Sequence, residues 1–142
     1  NNMGSWGTYP KDSDGALDLF GYIGVLINEN FEAIATREQS SGYDYAGGVM
    51  LLLQNGFCID RKIVQKAKDF VEQERKKTLD GESAWKDPSK AVQSMNEVIA
   101  GFDEILNDKD QEGEETIMAP LGWLEREGDL VKENWSGIGF VE

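Results

Sequence analysis

Apolar residues recur at three- and four-residue spacing along most of this chain, with polar residues between them, and this is the pattern of amphipathic helices rather than strands. The first such run is Leu17, Phe20, Ile23, Ile27, Phe31 and Ile34. A helix is expected to start there at Asp12 or Asp14, whose carboxylate can accept hydrogen bonds from the exposed first-turn N–H groups. Gly21 and Gly24 weaken it by about 1 kcal/mol each relative to alanine, unless they let another helix approach closely. Asn28-Glu29-Asn30 reads as a kink or break, and Glu38 to Gly42 as a loop.

A second helix is expected from Asp44 to about Gln54. Its Val49-Met50-Leu51-Leu52-Leu53 run is apolar on every side and belongs at the centre of the molecule. Gly47-Gly48 within it suits close helix packing. Asn55-Gly56 ends it, with glycine supplying the left-handed terminus. Asp60 then caps a third helix with Ile63, Val64, Ala67, Phe70 and Val71 as its buried stripe. Arg61, Lys62, Lys66, Lys68 and Lys76 form its wet side. Thr78 to Lys86 reads as a polar loop. Asp87-Pro88 starts a fourth helix, spanning about Pro88 to Asn107, with proline at the first helical position where its missing N–H is harmless. Ala91, Val92, Met95, Val98, Ile99, Phe102, Ile105 and Leu106 fall on one face. Asn107 to Glu115 is an acidic loop. Pro120 and four later glycines break the remainder into short pieces, with a short helix expected from Trp123 to Val131 and an extended stretch over Ile138 to Val141.

The expected fold class is therefore mostly all-α. It is a single domain over 1–142, a compact bundle of about four main helices with an irregular acidic segment (107–142) packed on it. Asn1 and Asn2 read as an expression remnant before a native start at Met3.

Charge changes this picture more than composition does. The net charge is −13, and such a field repels phosphate backbones and anionic lipid heads, so neither nucleic acid nor membrane is an expected partner. Residues 1–59 carry 7 acids and 2 bases, residues 60–77 carry 4 and 7, and residues 78–142 carry 16 and 5. The second half is an acidic surface suited to a basic protein, although charge runs commonly serve only as solvated surface. The apolar stretch Ala46 to Leu53 is far short of the ~20 residues of a membrane span. No basic-then-apolar start resembles a signal peptide. A single cysteine forms no internal disulfide and fits a reducing, cytoplasmic compartment.

The inventory for catalysis is poor. The chain has no histidine, which removes the commonest general base, the usual activator of Ser and Cys nucleophiles and the usual zinc ligand. Cys58, between Phe57 and Ile59, reads as a buried thiol. No Gly-rich phosphate loop is present. No cofactor is expected, and no catalytic or metal-ligating residue is assigned. Asp108-x-Asp110-x-Glu112-Gly113 resembles the start of a calcium loop. It fails at the twelfth position, where Ala119 replaces the bidentate Glu, and at the eighth, where Glu115 stands in an apolar place. Asp14 and Asp18 share one side of the first helix as a solvated pair.

The opening Met3-Gly4-Ser5-Trp6-Gly7, followed by Asp12-Ser13-Asp14-Gly15-Ala16-Leu17-Asp18, resembles the start of the bacterial family catalogued as domain of unknown function 4259. Members begin Met-Gly-x-Trp-Gly ahead of an acidic helix start. The likeness extends more loosely to the Ala46–Leu53 helix and to Ala84-Trp85-x-Asp87-Pro88, covering most of residues 3–106. Tyr9-Pro10 departs from the family pattern. The resemblance implies a small helical cytoplasmic protein and supplies no activity.

Four tryptophans lie outside the strong helical patterns. Trp6 and Trp85 are expected to pin loops onto the bundle, Trp6 near Leu17 or Phe20. Trp123 and Trp135, in the acidic segment, are expected interface anchors, because tryptophan is enriched at binding hot spots. Two function classes follow. The first is a non-enzymatic interaction protein that binds a basic protein, with inhibition in the manner of immunity proteins or phage-encoded inhibitors as one form of that binding. Asp108, Asp110, Glu112, Glu114, Glu115, Trp123 and Trp135 are its expected contact residues. The second is a carboxylate-based hydrolase or a calcium- or magnesium-binding protein.

Overall fold

In the computed structural model, which describes residues 7–125, the chain folds into four main helices. They are α1 (Asp14–Arg37), α2 (Gly42–Gln54), α3 (Arg61–Leu79) and α4 (Pro88–Leu106). A 3-10 turn (Pro10–Asp12) precedes α1, and another (Lys109–Gln111) follows α4. Two short strands, β1 (Ile59–Asp60) and β2 (Thr116–Ile117), pair antiparallel with Ile59 opposite Ile117. That pairing brings the segment after α4 back to the start of α3.

The centre of the molecule is a layer of α3 flanked by α2 and α4, the two most extensive helix contacts. Val49 and Leu53 of α2, Val64, Ala67 and Val71 of α3, and Met95, Phe102 and Ile105 of α4 are buried there. Ile59 and Ile117 close one end of this core. The fourth helix matches its sequence pattern closely: the Asp87 carboxylate accepts the Lys90 N–H, Pro88 opens the helix and Ala91, Met95, Ile99, Phe102 and Ile105 are buried. Gly56, at φ +88°, takes the left-handed conformation that ends α2.

Several local expectations are corrected. Ser13, not an aspartate, caps α1 by accepting the Ala16 N–H, while the Asp12 carboxylate accepts the Tyr9 N–H. Asn28-Glu29-Asn30 does not break α1. The Asn28 amide donates to the Gly24 and Cys58 carbonyls (2.9 Å each) and its oxygen accepts the Asp60 N–H (2.7 Å), so it clamps an unbroken helix to β1. Helix α2 starts at Gly42 under a Ser41 cap. Asp60 sits at the N-cap of α3 without a side-chain cap bond, and α3 continues through Leu79. Of the Val49–Leu53 run, Leu51 faces solvent. Close backbone approach occurs at neither Gly21 nor Gly47, which face open space. It occurs at Gly42, where a Cβ would run into the Phe70 ring, and at Gly101, where it would stand 2.7 Å from Leu124 Cδ1.

The largest departure concerns α1. Its sequence stripe is apolar, but Gly24 is its one buried residue among those described. Leu17, Leu19, Phe20, Tyr22, Ile23, Val25, Leu26 and Ile34 are all exposed, Leu19 by 60% and Leu26 by 58%. The helix is held at discrete points. Phe20 stacks on Phe57 at 4.4 Å, Phe31 meets Tyr45 edge-on at 4.8 Å, and the Tyr45 hydroxyl donates to Glu32 Oε1 at 2.6 Å. Among the described residues, no helix is long and apolar enough to cross a membrane.

Candidate functional site

The acidic loop after α4 is a built structure rather than a loose connector. Asn107 ends the helix, and the Asp108 carboxylate then accepts the Asp110 N–H and the Gln111 side-chain amide at 3.0 Å each. That is an Asx-type turn, the local use for which aspartate is favoured. The Gln111 side chain spans the loop, donating to the Met118 carbonyl and accepting the Met118 N–H at 2.8 Å. Gly113, at φ +82°, makes the reversal.

Arg61 holds the loop from outside. Its guanidinium donates to three backbone carbonyls, Leu106 (3.0 Å), Gln111 (2.6 Å) and Glu114 (2.9 Å), and its own N–H donates to the Glu115 carbonyl at 2.7 Å. A cation bound to carbonyls leaves the neighbouring carboxylates unpaired with it. Asp110, Glu112, Glu114 and Glu115 accordingly point their charge to solvent from a fixed backbone. Asp108 is half-buried and occupied by its turn. The sequence reading placed Arg61 on the wet side of α3; its role as loop staple depends on the β1–β2 return and has no local signal.

Four of the six other cations of α3 are also engaged within the molecule, and exposed Lys62 lines a hollow with Glu114 and Glu115 beside the loop. Lys66 pairs with Glu32 at 3.0 Å, Lys68 with Asp103, and Lys76 with Asp80, while Arg75 donates to the Asn96 amide oxygen. The Tyr45 hydroxyl, and then Lys66, hold the Glu32 carboxyl below its ordinary value, while burial and the Glu32 bond push the Tyr45 phenol up. The hydrogen bond to Asp103 raises the Lys68 ammonium. What the basic helix leaves outside is an acidic exterior.

The tryptophans divide differently from expectation. Trp85 packs edge-on against Tyr43 at 5.5 Å and donates to Glu74 Oε2 at 3.0 Å, which pins its loop to α3. Trp123 is only 4% exposed, lies against Phe102 and donates to the Gly101 carbonyl at 2.8 Å. It is a core residue and not a surface anchor, because the chain after β2 folds back over α4 and buries it. Cys58 is exposed, not buried, since only Ile59 of that segment turns inward. Trp6, Trp135 and the pieces expected beyond residue 125 lie outside the described residues.

Sequence reasoning missed two grooves flanking α2. One, about 590 Å³, lies between α1 and α2 and is lined by Ile23, Leu26, Ile34 and Leu51 with no charged residue among those described. The other, about 630 Å³, lies between α2 and α4, floored by Met50, Leu51 and Val98. Glu97, Glu104 and Glu125 stand around it, and no cation does among the described residues. Leu124 forms its end wall, seated on Gly101 and accepting from the Gln54 amide at 3.3 Å. The seven-residue spacing of Glu97 and Glu104 was visible, but only the packing of α2 beside α4 makes it a rim.

Among the described residues, no three of the Asp, Glu and Cys side chains gather closely enough to hold a metal ion. No family model, curated protein or solved structure matches the chain.

Proposed function

We propose that this protein is a non-enzymatic acidic interaction protein that binds a basic protein and inhibits it by covering its cationic surface. The observation that carries this reading is the loop of Asp110, Glu112, Glu114 and Glu115. Their carboxylates are exposed while Arg61 and Gln111 hold the backbone beneath them. A preorganised anionic turn on a chain of net charge −13 steers a cationic partner into encounter and loses little entropy on binding. Asp108 contributes by fixing the turn rather than by contact.

The test begins with affinity capture of a partner from the native host. Replacing the four exposed acids by Asn or Gln should then slow association severalfold and flatten its salt dependence, because exposed charges act chiefly on the encounter rate. The melting temperature should stay put. A captured partner with no basic surface, or an unchanged association rate and salt slope, overturns the reading.

A further inference from the structure

The acidic exterior also bounds a groove, and the groove specifies what shape of cation it takes. We infer that the cleft between α2 and α4 is the seat of an amphipathic helix carrying lysine or arginine at two-turn spacing; this rests on the acidic-partner reading and names the element of the partner that docks.

The floor is apolar and accessible: Leu51 is 43% exposed, and Met50 and Val98 continue the surface. The end wall is already in place, since Leu124 is fixed against Gly101 and Gln54. Glu97 and Glu104 stand seven residues apart on α4, about 10 Å along its axis. That spacing discriminates between partner shapes. On a helix, residues seven apart lie on one face, so two cations at that spacing meet both rim acids while the stripe between them fills the floor. On an extended strand, about 10 Å corresponds to three residues, and side chains three apart point to opposite faces. A strand therefore cannot satisfy the rim and the floor together. Glu125 adds a third negative charge at the rim. The rim charges orient and accelerate docking, and the floor supplies the affinity. The α1–α2 groove has a comparable apolar lining but no charge among the described residues to select an occupant.

The test uses the full chain and a labelled synthetic peptide of about 14 residues, roughly four helical turns. The peptide has a leucine stripe flanked by lysines seven residues apart; a second peptide has glutamate in place of each lysine. Fluorescence anisotropy and circular dichroism should show the lysine peptide binding with a gain of helix and the glutamate peptide failing to bind. Ala100 lines only this groove and is exposed, so Ala100→Glu should weaken binding more than tenfold without unfolding α4. Ile23→Glu, in the other groove, should leave it unchanged. Combining Glu97→Gln with Glu104→Gln should weaken binding roughly fivefold and reduce its salt slope, as expected for exposed charge pairs.

Binding indifferent to the Ala100 and Glu97/Glu104 variants overturns the inference. If it follows the Asp110, Glu112, Glu114 and Glu115 variants instead, the groove fails as the seat and the acidic-partner reading stands. Equal binding of both peptides removes the charge argument and overturns the inference, while the acidic-partner reading is decided separately by the loop variants. No binding at about 1 mM, the weak end of useful affinity, overturns the inference as well. In that case Ala100→Glu separates the remaining occupants: faster proteolysis of residues 126–142 identifies the chain's own segment, and dissociation of a dimer identifies a second copy.

Discussion

Helices α1 and α4 have similarly apolar sequences and opposite fates. Helix α4 buries Met95, Ile99, Phe102 and Ile105 against α3, whereas α1 leaves Leu19, Ile23, Leu26 and Ile34 in solvent and touches the rest of the molecule at a few points. The difference lies in available partners. Helix α3 has two sides, and α2 and α4 occupy both. What is left for α1 is the outer edge of α2 and β1, where Asn28, Phe20, Phe31 and Glu32 reach across. An apolar stripe shows that a helix can bury a face, and the number of free faces elsewhere decides whether it does.

The largest expected effect sharpens that contrast. Phe102→Ala or Trp123→Ala should destabilise the fold by about 3–5 kcal/mol, since each removes a buried aromatic from the central layer. Leu26→Ala on α1 should change stability by no more than about 0.5 kcal/mol. Urea unfolding of the three variants measures this, and a Leu26 effect equal to that of Phe102 would show that α1 buries its face in solution.

Removing the clamp is the next test. Asn28→Ala breaks the two hydrogen bonds that join α1 to Cys58 and Asp60 at β1, together with one bond inside α1, with an expected loss of about 1–3 kcal/mol. Hydrogen exchange should quicken along α1 while α3 and α4 stay protected. Uniform loss of protection would mean that α1 and the core unfold as one unit.

Acid should act on the same seam more weakly. The folded Glu32 carboxyl lies below its ordinary value, chiefly through the Tyr45 hydroxyl. Its contribution is therefore complete above the unfolded value of about 4.3 and is lost as pH falls through the lowered folded value. Tyr45→Phe should flatten this acid limb, by less than about 1 kcal/mol because Glu32 is half exposed. Melting temperatures between neutral and strongly acidic pH provide the measurement; an unchanged limb would mean that the bond adds nothing to α1 docking.

The smallest effect belongs to the loop. Replacing Asp110, Glu112, Glu114 and Glu115 by their amides should leave the melting temperature nearly unchanged, as expected for exposed surface charges. Arg61→Ala, by contrast, frees three carbonyls and should loosen the loop, seen as faster exchange at residues 110–116. If both changes leave exchange unaltered, the loop is ordered by Asp108 and Gln111 alone.

Local chemistry wrote much of this protein into its sequence. Asp87-Pro88 and the α4 stripe, the α3 stripe and the Asn55-Gly56 terminus are set by interactions within a few residues, and each appears where the pattern puts it. The acidic loop was also legible as the place no apolar pattern claims. Residues joined across long separations were not legible. Arg61 binds carbonyls about fifty positions away, Asn28 bridges to Cys58 and Asp60, and Trp123 is buried only because Gly101 leaves room for the returning chain. The rim of Glu97, Glu104 and Glu125 exists only once α2 lies beside α4. Period, caps and turns are properties of consecutive residues; which apolar face finds a partner, and which charges end around a groove, depends on competition among all the faces for a core with limited room.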